Sequence, residues 1–401
     1  MVATLFLGSL PIWADDALTL PQGRWRVRWA STFTVSSNEY GSTGDIRSIG
    51  STYSKSITGK LLSGLTPNAS RFVQALNAMQ PGFGDSLAIA SLNAEVESEF
   101  WTNVFAAEYG VTDRLSLGVI MPLVHAEIEV RASSEPSQEF NALMKRFEGQ
   151  PQMQAQFNQV LAGTSVQGLN SILRSQFGYN AGLTSWNSTG IGDIEVGGKY
   201  NYFKDTEILA TVKTGLRLPT GRTDDPDNLV DVGFGDGQFD LGVYNYVDYR
   251  PTAYLSFTHE VGYVAQLPDT NSYRVPVSAE LPIGSPAIEL DRRLGDYWET
   301  GLEANYTMFK LFTTSAKYRF KQKFKDSYDG VPTGFNAALL TNNTNEILHE
   351  GQFQVEYSNL SRVRAGLESF PFAVAVLYRQ PFHGENVSDS RTAGVQLKSY
   401  F

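Results

Sequence analysis

Arg24-Trp25-Arg26-Val27-Arg28-Trp29-Ala30-Ser31-Thr32-Phe33-Thr34-Val35 alternates between two kinds of side chain. Successive residues of an extended chain point to opposite faces. Trp25, Val27, Trp29, Phe33 and Val35 therefore share one face, and Arg24, Arg26, Arg28, Thr32 and Thr34 share the other. A soluble sandwich buries its apolar face and shows its arginines to water. A lipid-embedded barrel inverts this: aromatic and aliphatic side chains meet acyl chains, and the polar face lines the interior. Alternation alone does not separate the two, but strand length and loop layout do.

The same pattern recurs over 100–109, 115–124, 191–203, 208–218, 238–249, 253–265, 298–309, 312–324, 350–358, 370–380 and 391–401. With 24–35 this makes about twelve strands, fourteen being the alternative. Barrel strands need roughly nine residues or more, whereas sandwich strands average about five or six. Short connections (110–114, 204–207, 250–252, 310–311 and the longer 359–369) alternate with long ones (36–99, 125–190, 219–237, 266–297, 325–349 and 381–390). Short turns at one end and long loops at the other is the layout of an outer-membrane barrel, with both termini on the short-turn, periplasmic side.

Composition agrees. The 401-residue chain carries a net charge of −10, 18% charged and 12% aromatic residues, 36 glycines and no cysteine. Absence of cysteine excludes disulfide scaffolds, thiol catalysis, Fe–S clusters and cysteine zinc sites. The acidic balance excludes a nucleic-acid partner, which needs a basic face. No apolar run approaches the roughly 18 residues of a membrane-spanning helix. The expected fold is all-β: an antiparallel transmembrane β-barrel with amphipathic helices in its long loops.

Residues 1–14 read as an export signal, with Leu5, Phe6, Leu7, Leu10, Ile12 and Trp13 ahead of Ala14 and the pair Asp15–Asp16. No Lys or Arg precedes that apolar stretch, which a start codon set further upstream explains; a buried first helix is the alternative. Residues 15–401 then form one barrel domain. At the other end Ala393, Val395, Leu397 and Phe401 share one face. A terminal Phe closing an alternating strand resembles the signal read by the bacterial barrel-assembly machinery. Ser399 departs from it, standing where that signal usually carries an aromatic residue.

Two long loops, 36–99 and 125–190, carry helical spacing. Phe140, Leu143, Met144 and Phe147 follow Ser137, a good N-cap, and Phe157, Val160, Leu161, Leu169, Ile172 and Leu173 continue. Phe72, Val73, Leu76 and Met79 repeat the spacing in the first loop. These helices are expected over the outer mouth, as an ordered cap or as a collector of ligand.

The centre of the chain carries recognisable words. Gly190-Ile191-Gly192-Asp193-Ile194-Glu195-Val196-Gly197-Gly198-Lys199-Tyr200 leads to a strand ending in Leu216-Arg217-Leu218-Pro219-Thr220-Gly221, and Gly233-Phe234-Gly235-Asp236-Gly237 opens the next. The turn Tyr109-Gly110-Val111-Thr112-Asp113-Arg114-Leu115 is of the same style. Together these resemble the outer-membrane transporter family labelled MetA-pathway of phenol degradation, itself similar to the long-chain fatty acid and aromatic hydrocarbon channels. The resemblance implies a diffusion channel for small, apolar or aromatic compounds. The same residues also have plain uses in barrel building: Gly relieves crowding in a curved sheet, and Pro219 ends a strand.

The polar faces define the candidate lumen. Its cations are Arg24, Arg26, Arg28, Lys213, Arg217, Lys317, Arg319, Lys321, Lys323 and Arg379; its anions are Asp193, Glu195, Asp240, Glu260, Glu299, Glu303 and Glu356. Adjacent strands set Glu299 and Glu303 beside Lys317–Lys323, which points to cross-strand ion pairs. Tyr244, Tyr246 and Tyr254 point inward in this register, and His259 and Asn245 outward. His125, His349 and His383 fall at outer strand ends, with Ser388 and Asp389 near the last; a rim hydrolase is the enzyme alternative, without a recognisable signature. Asp224, Asp225, Asp227, Asp231 and Asp236 lack EF-hand spacing and read as a solvated loop beside lipopolysaccharide. The reading is a passive channel for a small-molecule solute, in contact with outer-membrane lipid and needing no cofactor. The rival is a plugged barrel that anchors surface loops for a partner.

Overall fold

The computed structural model describes residues 16–276, 278, 283, 284 and 286–401. The expected export signal, 1–14, lies outside them. Twelve strands form a closed wall: β1 (Trp25–Ser36), β2 (Ala88–Thr112), β3 (Leu115–Pro136), β4 (Ile194–Lys204), β5 (Ile208–Leu218), β6 (Asp240–Tyr249), β7 (Leu255–Gln266), β8 (Tyr297–Met308), β9 (Phe312–Lys323), β10 (Glu346–Ser358), β11 (Phe372–Glu385) and β12 (Arg391–Tyr400). Each pairs antiparallel with the next, and β12 returns to β1 with Arg28 opposite Lys398 and Trp29 opposite Leu397. Closure leaves no edge of unpaired backbone groups in hydrocarbon. Two short strands, Lys55–Thr58 and Trp186–Ile191, extend the hydrogen-bonded sheet to 14 strands by pairing with β2 and β3.

The inverted polarity is visible along β1. Trp25 and Val27 are 47% and 46% exposed on the outer face, while Arg26 and Arg28 are buried inside. Phe105, Val119, Leu241, Leu302, Phe353, Val376 and Leu397 continue the exposed outer band. In water each would forgo about 1.5–3 kcal/mol of burial, and so wide a patch would aggregate. Acyl chains remove that penalty. Outward polar side chains are satisfied by their neighbours: Tyr202 donates to Asn245 (2.8 Å), His259 bonds Thr300 (3.2 Å), and Tyr318 bonds His349 (2.8 Å).

β2 and β3 run well past the ends expected from the alternation, and the reason lies in their sequence. Trp101 faces His125 across the pair, with rings 5.5 Å apart. Beyond them the outward residues are Glu95, Glu97, Glu99, Glu127 and Glu129, while Ala90, Leu92, Ala94 and Val96 are buried on the inner face. The period of two persists, but the polarity becomes that of a sheet in water. At about 3.3 Å per residue, β2 is roughly 80 Å long, far more than a hydrocarbon layer of about 25 Å.

Four helices pack on this projecting hairpin: α1 (Pro67–Met79), α2 (Gln138–Arg146), α3 (Pro151–Thr164) and α4 (Val166–Phe177). Ser137 Oγ accepts the Phe140 N–H (3.0 Å) as its spacing predicts, and Thr66 and Ser165 cap α1 and α4. Phe72, Phe140 and Phe157 meet edge to face with centroids 5.6–6.3 Å apart, over Ile57, Ile89 and Leu92. Met79, at the last position of α1, faces out instead of joining this core.

Candidate functional site

The lumen has two unlike walls. One, from β7 to β12, is a lattice of ions. Lys317 lies 2.8 Å from Glu260, Arg319 3.3 Å from Glu350 and 3.6 Å from Glu299, and Lys321 3.3 Å from Glu346. Arg379 reaches Glu350 (3.4 Å), and Lys398 reaches Glu356 (2.8 Å). On the next arc Lys213 meets Glu195 (2.8 Å) and Arg217 meets Asp240 (2.9 Å); Arg26 pairs with Glu108 on β2. Ion pairs thus form as the alternation implies, some straight across, as Arg26–Glu108, Arg217–Asp240 and Arg319–Glu350, and some diagonally. Glu299 stands opposite Lys321 and Glu303 opposite Lys317 in register, yet Glu299 pairs with Arg319, and Lys317 passes over β8 to β7. Gly301 makes that possible: a Cβ there would lie 2.6 Å from Glu260 Oε1. Gly262 similarly lets the Tyr244 ring lie flat, 6.2 Å from Tyr246.

The other wall is apolar. Val96, Phe100, Val124, Ala126 and Ile128 line the inside of β2 and β3, covered by Ile49 and by Val230, Val232 and Phe234 of the connection between β5 and β6. Below them Val104 and Ile120 pack together, and Val104 also borders the next space. That space is a chamber of about 780 Å³ at the short-turn end, lined by Arg28, Arg379, Lys398, Glu303, Glu356, Gln352, Gln354 and Gln396, with Tyr254 at its rim.

Residues 16–20 run along the inner wall at this end, with Asp16 and Leu18 bordering the chamber, which the sequence did not signal. Lys199, wholly buried, donates to Asp16 O (2.7 Å) and lies 3.6 Å from the Asp16 carboxylate. The Ala17 N–H donates to Asp248 (3.1 Å), Ala17 O accepts from Thr211 (2.5 Å), and the Leu20 N–H donates to Ser116 (2.8 Å). Arg24 by contrast is exposed, ahead of β1 at the rim.

The recognisable words meet at the opposite mouth. Asp193 accepts the Gly221 N–H at 2.9 Å and the Asp236 N–H at 3.1 Å, so one carboxylate holds both ends of the β5–β6 connection. Thr220 Oγ1 donates to Gly192 O (3.0 Å) and accepts the Ile194 N–H (2.9 Å). Arginines fasten the rest. Arg222 grips both Asp231 oxygens at 2.6 Å, Arg274 bonds Asp227 and the carbonyls of Phe177 and Gly178, and Arg292 bonds Asp269 and Tyr273. Burial pushes the Tyr273 hydroxyl up to about 12 and raises Asp224 above the usual carboxylate range. Among the described residues no group of three or more His, Asp or Glu is set to hold a metal. His383 packs on His349, with rings 5.4 Å apart, while Ser388 bonds Ser36 (2.7 Å).

No protein-family model matches the chain, and no curated protein does. Solved structures do. The COG4313 outer membrane channel from Pseudomonas putida F1 superposes with a TM-score of 0.54 at 9% identity, over 96% of this chain and 98% of that one. The transport unit of the autotransporter AIDA-I from Escherichia coli gives 0.42 at 8%, over 100% and 95%. The CymD monoaromatic hydrocarbon channel gives 0.36 at 9%, over 95% and 89%. At such identity the first of these likenesses speaks for fold alone: the chain has the fold of that structure, a closed antiparallel β-barrel.

Proposed function

We propose that this protein is a passive outer-membrane channel of a Gram-negative bacterium, carrying small apolar or aromatic molecules. The observation that carries the reading is the apolar strip of β2 and β3. It runs from the helical cap past Phe100 and Val124 to Val104, at the edge of the chamber. A solute without charge gains nothing from the ion lattice opposite and is favoured on this strip. Val230, Val232 and Phe234 now occupy the strip, so passage requires the β5–β6 connection to lift. The Asp193 and Thr220 contacts hold both ends of that connection, so the words that resemble the MetA-pathway family would take part in that movement. In this setting the long loops meet lipopolysaccharide, and the strand ending at Phe401 is what the barrel-assembly machinery reads. No energy source or cofactor is called for.

The test is uptake of N-phenylnaphthylamine, an apolar aromatic fluorophore, by cells expressing the chain. Faster uptake than in cells lacking it is expected, and Val104→Asp should slow it severalfold without unfolding the barrel. Rates equal to those of cells lacking the protein would contradict the reading. The ion lattice and the inserted segment 16–20 favour a second reading, a plugged anchor for the loops. That reading predicts neither apolar uptake nor ion conductance in planar bilayers.

A further inference from the structure

The tips of most short turns are polar, as at Asp113–Arg114 and Asp205–Thr206. The β8–β9 turn is not. Phe309 is 83% exposed there, and both Phe309 and Lys310 sit at positive φ, 54° and 57°. A bulky residue in the left-handed region is strained by order 1–3 kcal/mol, and Asn or Gly would avoid it. The next connection packs on this turn: Ser361 Oγ donates to Lys310 O (3.0 Å) and the Ser358 N–H to Leu311 O (2.8 Å). It brings Leu367, 68% exposed, and Phe370, whose ring lies 6.1 Å from that of Phe401. Lys310 and Arg364 are exposed at the same place, and Arg362 is partly offset by Glu368. In water this surface is costly twice over, through bare apolar area and through turn strain.

We infer that this corner of the rim is an anionic-phospholipid site, in which Phe309 and Leu367 enter the periplasmic leaflet and Lys310 and Arg364 hold its headgroup phosphates. The occupant follows from continuity. Phe312, Tyr357 and Phe372 form a ladder of outward rings, 5.3 and 5.9 Å apart, that joins the patch to the lipid-facing band. The flanking cations select an anionic headgroup, each enriching it about fivefold near the surface. A protein partner would have to displace lipid from a surface already continuous with the membrane.

The chain has no cysteine, so Phe309→Cys and Leu367→Cys each take a single fluorescent label. Full-length protein would be placed in phosphatidylcholine vesicles carrying a nitroxide on either phosphatidylglycerol or phosphatidylcholine headgroups. Both labels should be quenched, and more strongly by nitroxide-phosphatidylglycerol at equal content. Lys310→Gln with Arg364→Gln should abolish that preference and leave quenching by phosphatidylcholine intact. A Thr206→Cys label, on a polar turn, is the unquenched reference, and heat-shifted gel migration confirms folding. Labels at 309 and 367 quenched no more than at 206 would overturn the inference, as would equal quenching by both lipids.

Discussion

Gly301 matters for what it lacks. Glu260 crosses the space a side chain would fill in order to reach Lys317, so the glycine sets which strands the ion lattice joins. Gly301→Ala is expected to push Glu260 aside and lower barrel stability by about 1–3 kcal/mol, since removing a partner from a buried charge is costly. The check is the temperature at which the folded gel band converts to the unfolded one. Asp193 is a second such residue. Asp193→Asn keeps one acceptor oxygen and turns an amide toward the other N–H. Hydrogen exchange at the Gly221 or Asp236 amide should then rise about tenfold, the equivalent of roughly 1.4 kcal/mol. The sequence shows both positions but neither role. Asp193 reads as an inward carboxylate, and its partners are backbone amides 28 and 43 residues away. Glu299 and Lys321 read as opposite neighbours, and they are; the diagonal choice of Arg319 depends on side-chain reach that alternation does not encode.

Among the elements, β5 runs over 208–218 and β1 within a residue of its expected ends, because their whole length lies in one environment. β2 and β3 were harder to read. Their outward face changes from apolar to acidic at Trp101 and His125, where the surroundings change while the strands continue. The helix over 138–146 was legible because the cap Ser137 and periodic apolar residues coincide, and that over 166–177 from the spacing of Leu169, Ile172 and Leu173, while its cap, Ser165, was not read. Residues 16–20 were not. Their anchors, Lys199, Thr211, Asp248 and Ser116, are scattered through four strands, and only the closed wall brings them together. Lys199→Met removes the buried ammonium that holds Asp16. Single-channel conductance is expected to increase and to fluctuate as the segment leaves the inner wall; unchanged, steady conductance would mean that the segment does not restrict the path.

At the scale of the molecule, the barrel separates three surroundings with one repeating pattern. Outside, Trp25, Val27 and Leu397 need acyl chains. Inside, charges are neutralised in pairs along one arc, and apolar side chains line the other. Above, a helical cap with a core of its own sits on the extended hairpin. This division explains why composition was informative about class and silent about solute. Charge-poor, aromatic-rich strands follow from lipid on one face, but the positions of a chamber and an apolar strip follow from closure and from loops that fold inward.

The inversion of inside and outside underlies all of this, and spin labels placed singly along 24–35 in lipid bilayers test it most directly. Oxygen, which partitions into hydrocarbon, should reach labels at 25, 27, 29, 33 and 35 more readily than those at 26, 28, 30, 32 and 34. The opposite alternation, or none, would contradict a wall whose apolar face meets lipid.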